Sequence, residues 1–234
     1  MRGCFVTATD TGVGKTVVAA AICCALRASG ETVAAAKPVV TGLDEPEPGV
    51  PPDHVLLASC TGQQPEDVTA QTFGPAVSPH LAAQLAGVTL DVGTLVDAAR
   101  GAWRDVGGED AILVVEGVGG LLVPLAAGLN VRDYAVALGL PVVIAARPGL
   151  GTINHTLLTI ESARGAGLHV RAVVLTPWPE APSVMERSNA TTIEELGGTP
   201  VAFLPQASAL GPEALTTAAA GLDVPAWIGL AQAG

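Results

Sequence analysis

Short apolar runs alternate with longer segments of mixed polarity along the chain. Six runs rich in Val, Ile, Leu and Ala read as strands: residues 4–9, 32–39, 111–116, 142–146, 170–176 and 201–204. Several are apolar almost without a break, as expected of strands covered on both faces of a parallel sheet. Helical segments lie between them, at 15–29, 54–60, 79–86, 92–106, 131–138, 152–166 and 183–196. Strand–helix alternation at this spacing predicts an α/β fold, a doubly wound and mostly parallel sheet flanked by helices. Residues 44–52 carry four prolines and three acidic side chains and read as a mobile loop. No internal repeat and no long linker interrupts the pattern, so residues 1–234 are expected to form a single domain.

The first predicted strand runs into Thr9-Asp10-Thr11-Gly12-Val13-Gly14-Lys15-Thr16, and a predicted helix opens at Lys15. Strand, glycine turn and helix together form the setting in which Gly-Lys-Thr binds phosphate, which makes the fold a P-loop NTPase type. Backbone N–H groups of Gly12, Val13, Gly14, Lys15 and Thr16 would converge on phosphate oxygens. The helix N-terminus adds its positive dipole end. Lys15 would reach the β and γ oxygens, and the Thr16 hydroxyl would bind Mg²⁺. Val17 belongs to the same first helical turn. The usual spacing places one more glycine at position 9, where this chain has Thr9. A glycine-rich turn that binds nothing is the alternative.

Charge sharpens this picture. The net charge is −11, which argues against nucleic acid and anionic membranes as partners. An acidic chain that binds a nucleotide needs local positive charge. Its only lysines are Lys15 and Lys37, each inside a motif, while the other nine basic residues are arginine. Lysine offers a compact point charge suited to a single phosphate oxygen. Compositional bias explains why lysine is scarce but not where the two survivors fall. The 3% aromatic content requires a core of Val, Leu, Ile and Ala. Cys4, Cys23, Cys24 and Cys60 lack paired metal-ligand spacing and read as buried small hydrophobes in a reducing compartment. The apolar stretch 17–26 is too short to span a bilayer, and the expected location is the cytoplasm.

Glu116 closes an apolar strand and is followed by Gly117-Val118-Gly119-Gly120. Ligands of open α/β sheets bind at the carboxyl ends of strands, so this carboxylate fits a second Mg²⁺ contact; a strand-end residue solvating a turn is the alternative. Lys37 also closes an apolar strand and should project into the same crevice, unless it is a plain surface lysine. Asp53 stands at a predicted helix start, where capping is the reading its position favours. His80, after Ser78-Pro79, reads the same way. The histidines show no metal-ligand arrangement, and no Ser-His-Asp or Cys-His arrangement is present.

These segments together resemble the dethiobiotin synthetases. The resemblance rests on residues 9–16, on Lys37-Pro38-Val39-Val40-Thr41-Gly42, on Ser78-Pro79-His80, on Val115-Glu116-Gly117-Val118-Gly119-Gly120 and on Leu150-Gly151-Thr152-Ile153-Asn154-His155. It implies a homodimeric ATP-dependent ligase of biotin synthesis that takes 7,8-diaminononanoate, CO₂ or bicarbonate and a nucleoside triphosphate. By resemblance, Lys37 is the active-site lysine beside the transferred phosphoryl group and the carbamate. Lys15 and Thr16 serve the phosphates and the metal, and Asp53 and Glu116 complete the Mg²⁺ shell. Thr11 and Thr41 face the diamine and its carbamate. Gly117, Val118 and Gly119 line the nucleotide. Gly151, Thr152, Ile153 and Asn154 of the partner subunit hold the substrate carboxylate on backbone amides. Thr176, Pro177, Pro205, Gln206 and Ala207 surround the base.

Two departures from the family pattern carry expectations. The family loop usually opens with glycine where this chain has Ala8. The family often reads adenine with an asparagine where this chain has Thr176, and a hydroxyl cannot present an amide's paired donor and acceptor, so weak base preference is expected. Two other readings share the fold. A partition-type P-loop ATPase would carry a lysine before Lys15 and a basic amphipathic C-terminal helix, and this chain has neither. A non-catalytic regulatory module would leave Lys37, Thr41 and the 150–155 segment without a role.

Overall fold

The structure is a computed structural model that describes residues 1–230. Its strands are β1 (Arg2–Ala8), β2 (Thr32–Val40), β3 (Thr69–Thr72), β4 (Ala111–Gly120), β5 (Pro124–Ala126), β6 (Leu129–Asn130), β7 (Val142–Ala146), β8 (Val170–Trp178), β9 (Val201–Pro205) and β10 (Gly229–Leu230). Its helices are α1 (Lys15–Ala28), α2 (Asp53–Thr61), α3 (Pro65–Val68), α4 (Pro79–Leu85), α5 (Val92–Val106), α6 (Val131–Leu138), α7 (Thr152–Gly165), α8 (Val184–Gly197), α9 (Pro212–Ala218) and α10 (Val224–Trp227). The main sheet runs β3-β2-β4-β1-β7-β8-β9, all parallel. The antiparallel β10 pairs with Arg2 and Gly3, beside the part of β1 that precedes its pairing with β7 at Phe5.

Alternation along each strand divides the core in two. Cys4, Val6 and Ala8 of β1 face a layer built by α1, α2, α9 and α10, with Ile22, Leu57, Leu215 and Trp227 among its members. Phe5 faces the layer of α4 to α8, with Leu95, Tyr134, Ile160 and Ile193. Both layers exclude water, which is why these strands are apolar almost without interruption. All four cysteines are free and buried. Burial raises the Cys4 thiol to about 12, so it acts as a small apolar side chain.

The bounds predicted for α5, α6 and β7 coincide with those observed, and the other predicted helices agree to within one residue at each end. The larger differences are in strands. β4 runs beyond Glu116 to Gly120, because Ala8 of β1 pairs with Gly120 across a bulge. Glu116 is therefore an interior strand residue rather than a strand end. The short β3, the β5–β6 hairpin, α3, α9, α10 and β10 carry little periodicity, and the sequence pattern does not announce them.

Candidate active site

The loop between β1 and α1 is shaped by its glycines. Gly12 and Gly14 have φ of 69° and 94°, and Gly14 is the N-cap of α1. A Cβ at Gly14 would lie 2.9 Å from Cγ2 of Thr176, so this position needs glycine for its backbone angle and for the close approach of β8. Among the described residues no non-glycine has positive φ. Ala8 and Thr9 thus stand where glycine is expected without backbone strain. The Thr11 amide donates to Oδ1 of Asp10 at 2.7 Å, which tightens the turn.

Four charges meet behind this loop. Val33 and Ala35 of β2, and Ile112 and Val114 of β4, face the α1 layer. Lys37 and Glu116 continue that alternation, so both side chains reach the start of α1. Glu116 is fully buried, and Lys37 is 3% exposed. Oε1 of Glu116 accepts from the Lys15 ammonium and from Nζ of Lys37, the latter at 2.8 Å. Lys37 also donates to Oδ2 of Asp53 at 2.7 Å and to the Gly117 carbonyl at 3.3 Å. The Thr16 hydroxyl lies 2.8 Å from both Oδ1 of Asp53 and Oε1 of Glu116. It has one proton, so it donates to one of them at a time. Two ammonium groups and two carboxylates thus balance each other, with Lys15, Lys37 and Glu116 buried and Asp53 partly open to water.

Their protonation follows from that balance. Burial alone would lower Lys37, but Glu116 and Asp53 outweigh it and hold its ammonium well above the usual lysine range. Burial would raise Asp53, but Lys37 and Lys15 hold its carboxyl well below the usual carboxylate range. Lys15 is lowered, chiefly by burial and further by Lys37, with Glu116 opposing. Asp53 does not cap its helix. The N-cap is Pro52, and Asp53 is the first helical residue with its carboxylate turned into the cluster. Ser78 likewise makes no capping bond, and its hydroxyl contacts Nδ1 of His80 at 3.0 Å.

This cluster suits a hard divalent cation in part. Thr16, Asp53 and Glu116 offer a hydroxyl and two carboxylates, the oxygen donors Mg²⁺ takes. Oε2 of Glu116 is buried and has no hydrogen-bond partner, which leaves a free acceptor at the site. Among the described residues no group of three His, Cys, Asp or Glu side chains could hold a metal alone. Phosphate oxygens and water would have to complete the shell, as is usual for Mg²⁺ at phosphate sites.

The cluster opens into a cleft of about 670 Å³ at the carboxyl edge of the sheet. Thr11, Gly12, Gly14, Lys15, Thr16, Val17, Lys37, Thr41, Asp53, Val118 and Gly119 line it, which joins most of the residues expected at the site. Gly119 has φ of 58°, and a Cβ there would sit 2.8 Å from Val123, so a side chain is excluded. No local pattern announces the cleft's apolar wall, where Val39, Val50, Pro51, Ala76, Val77 and Val123 stand. A second pocket of about 200 Å³ adjoins across Gly12 and Gly14, which line both. Thr176, Pro177, Pro205, Gln206 and Ala207 come together there as expected, with Val13 and Val17. Leu210 and Arg147 also line it and were missed; for Arg147 the available signal was its place just after a strand's carboxyl end.

Gly151, Thr152, Ile153 and Asn154 are not among the residues lining either pocket. Gly151 is the N-cap of α7. The Thr152 side chain is buried and within 3.4 Å of the Thr156 hydroxyl, and Leu150, two residues earlier, is 93% exposed. Among the described residues no helix is long and apolar enough to cross a membrane.

Comparison with known proteins agrees with this geometry. The family described as "AAA domain" matches residues 2–214. The ATP-dependent dethiobiotin synthetase BioD of Anaeromyxobacter dehalogenans (strain 2CP-1) is 45% identical over 210 residues, 88% of this chain and 90% of that protein. The protein of the same name from Pseudomonas paraeruginosa is 39% identical over 98% of this chain and 100% of its own. That of Bacillus subtilis (strain 168) is 34% identical over 86% and 85%. Among solved structures, the MinC:MinD cell division protein complex of Aquifex aeolicus matches with a TM-score of 0.55 at 15% identity, covering 92% of this chain and 86% of that chain. Chloroplast FtsY of Physcomitrella patens gives 0.53 at 12%, covering 93% and 64%. Both show a shared fold and no more. The identities to the three synthetases, 34–45% over 86–98% of this chain, show the family: the chain belongs to the ATP-dependent dethiobiotin synthetases.

Proposed function

We propose that this protein uses Mg-ATP and CO₂ to close the ureido ring of dethiobiotin from 7,8-diaminononanoate. The observation that carries this reading is the Lys15–Glu116–Lys37–Asp53 cluster at the floor of a cleft whose walls are apolar. A phosphate site alone has no use for the second buried lysine. A diamine on a hydrocarbon chain has a use for the wall of Val39, Val50, Pro51, Ala76, Val77 and Val123.

One substrate amine adds to the carbon of CO₂ and loses a proton, giving a carbamate. A carbamate oxygen attacks the γ-phosphorus, and the bond to ADP breaks. The second amine then attacks the carbamoyl carbon, and phosphate leaves with that oxygen. Each step builds or shifts negative charge on oxygen, so positioning and fixed positive charge do most of the catalysis. Lys37 sits where the carbamate and the γ-phosphoryl group meet, and Lys15 holds the β and γ oxygens. Thr16, Asp53 and Glu116 would hold Mg²⁺, which neutralises phosphate charge when bound. Thr11 and Thr41 would orient the diamine and carbamate. On binding, the lysines would exchange carboxylate partners for phosphate and carbamate, which would free Asp53 and Glu116 to hold the metal. Gly12, Val13, Gly14 and Val17, with Gly117, Val118 and Gly119, line the nucleotide's path to Thr176, Pro177, Pro205, Gln206 and Ala207. The substrate carboxylate would be held on amides of Gly151, Thr152, Ile153 and Asn154 from a partner subunit. Their position outside the chain's own clefts supports that division, and a helix start favours an anion.

Incubation with diaminononanoate, bicarbonate and Mg-ATP should yield dethiobiotin, detected by mass spectrometry. ATP hydrolysis with no product and no dependence on the diamine would instead favour a partition-type ATPase.

A further inference from the structure

Arg147 follows β7, the strand between β1 and β8, and so stands between the phosphate loop and Thr176. Among the described residues it is the only arginine lining either the cleft or the adjoining pocket. Its Nη2 donates to the carbonyl of Thr11 at 3.1 Å and lies 3.7 Å from where a Cβ on Gly12 would be. That single bond fixes the guanidinium over the loop and uses one of its five N–H donors. No other side-chain hydrogen bond or ion pair of Arg147 is present among the described residues. Lys15, Lys37 and Asp53 line the cleft but not this pocket, and the charged side chain nearest in sequence to the Thr11 contact is the exposed Asp10. Around the pocket the walls are proline, glycine, alanine, valine and leucine, with Thr176 and Gln206 as the polar side chains.

We propose that Arg147 is a binding residue for the co-substrate, holding the nucleoside half of the nucleotide without choosing among bases. The inference rests on the reading of this pocket as the nucleoside site. A planar guanidinium anchored at one edge can lay its face on a base or turn its spare donors to ring and ribose acceptors. It adds affinity where Thr176 offers only one hydroxyl, and a stacked plane accepts any base, so it does not restore the base reading an amide would give. Arg147 is exposed, so its charge is screened by salt, and its contribution lies in planarity and donor geometry.

The test compares ATP with inorganic tripolyphosphate, which has the phosphates and no nucleoside. Binding of each in the presence of Mg²⁺ is measured by calorimetry for wild type, Arg147→Ala and Arg147→Lys. Arg147→Ala should weaken ATP about tenfold and leave tripolyphosphate unchanged, with an unaltered melting transition. Arg147→Lys should stay close to the alanine variant, because it keeps charge but loses the plane. Equal loss for ATP and tripolyphosphate would overturn the proposal and reduce Arg147 to a strut for the Thr11 carbonyl. Unchanged ATP binding in Arg147→Ala would overturn it as well. A wild-type protein that binds tripolyphosphate as tightly as ATP would instead remove the nucleoside reading of the pocket.

Discussion

The two ends of the cleft are built on different physics. At the phosphate end, Lys15, Lys37, Glu116, Asp53 and Thr16 form one network in which each charge contacts an opposite charge. At the other end, the pocket proposed for the nucleoside, one guanidinium makes one bond to a carbonyl, and the walls are mostly apolar. A buried charge is tolerated only when paired, so each member of the network constrains the others. An apolar wall can be made from many residues of similar volume. The phosphate end is therefore specified residue by residue, and the nucleoside end by shape. Changes at the first should remove chemistry, and changes at the second should shift preference.

The largest effect expected is from Lys37→Ala. Steady-state turnover should fall about a thousandfold, with ATP affinity within a few-fold of wild type. Lys37→Arg should fail to restore it, because the broad guanidinium does not fit between Glu116, Asp53 and the Gly117 carbonyl. Normal turnover in Lys37→Ala would move the reacting centre away from the cluster. Next comes Glu116→Gln, which removes the carboxylate shared by both lysines and Thr16. The Mg²⁺ concentration for half-maximal rate should rise about 10–100-fold, with diamine binding much less affected. An unchanged metal titration would leave Glu116 only its role of pairing the lysines.

A smaller effect concerns pH. The lowered carboxyl of Asp53 contributes stability that is full above the ordinary value of about 4 and is lost as pH falls through its folded value. The raised ammonium of Lys37 contributes stability that is full below about 10.5 and is lost only as pH rises through its folded value. The melting-temperature gap between wild type and Asp53→Asn should therefore stay constant from about pH 5 to 9 and shrink in acid below about pH 4. A gap that varies through neutrality would show that the pair is not charged as described. The smallest effect belongs to the nucleoside end. Rates with ATP, CTP, GTP and UTP at equal concentration should differ by less than about tenfold, because Thr176 offers one hydroxyl where an amide would offer two contacts. A large preference for ATP would show that Gln206, Arg147 or backbone groups read adenine.

What could be read in the sequence follows the same division. The parallel sheet was legible because both its faces are covered, so strands such as β7 are apolar throughout. The phosphate loop was legible from its glycine turn, and Lys37 and Glu116 because each sets a charge into an apolar run, although both strands continue past them to Val40 and Gly120. Asp53 was legible only through the family resemblance, since the first residue of a helix is a natural place for a capping acid, and the approach of α2 to α1 and β2 turns it inward. The apolar wall was hidden because Val50 and Pro51 belong to a proline-rich loop with no periodicity. Arg147 was hidden because its meaning depends on β7 lying beside β1, and strand order is not written in local pattern.

The central claim is that phosphoryl transfer and ring closure share this cluster, and the fate of one oxygen tests it most directly. The protein is mixed with diaminononanoate, Mg-ATP and freshly dissolved CO₂ labelled with heavy oxygen, and the released phosphate is collected before the label exchanges with water. If a carbamate oxygen attacks the γ-phosphorus and departs with it, each phosphate carries one atom of label. Unlabelled phosphate, formed at the same rate with or without the diamine, would mean that water is the nucleophile and would contradict the account.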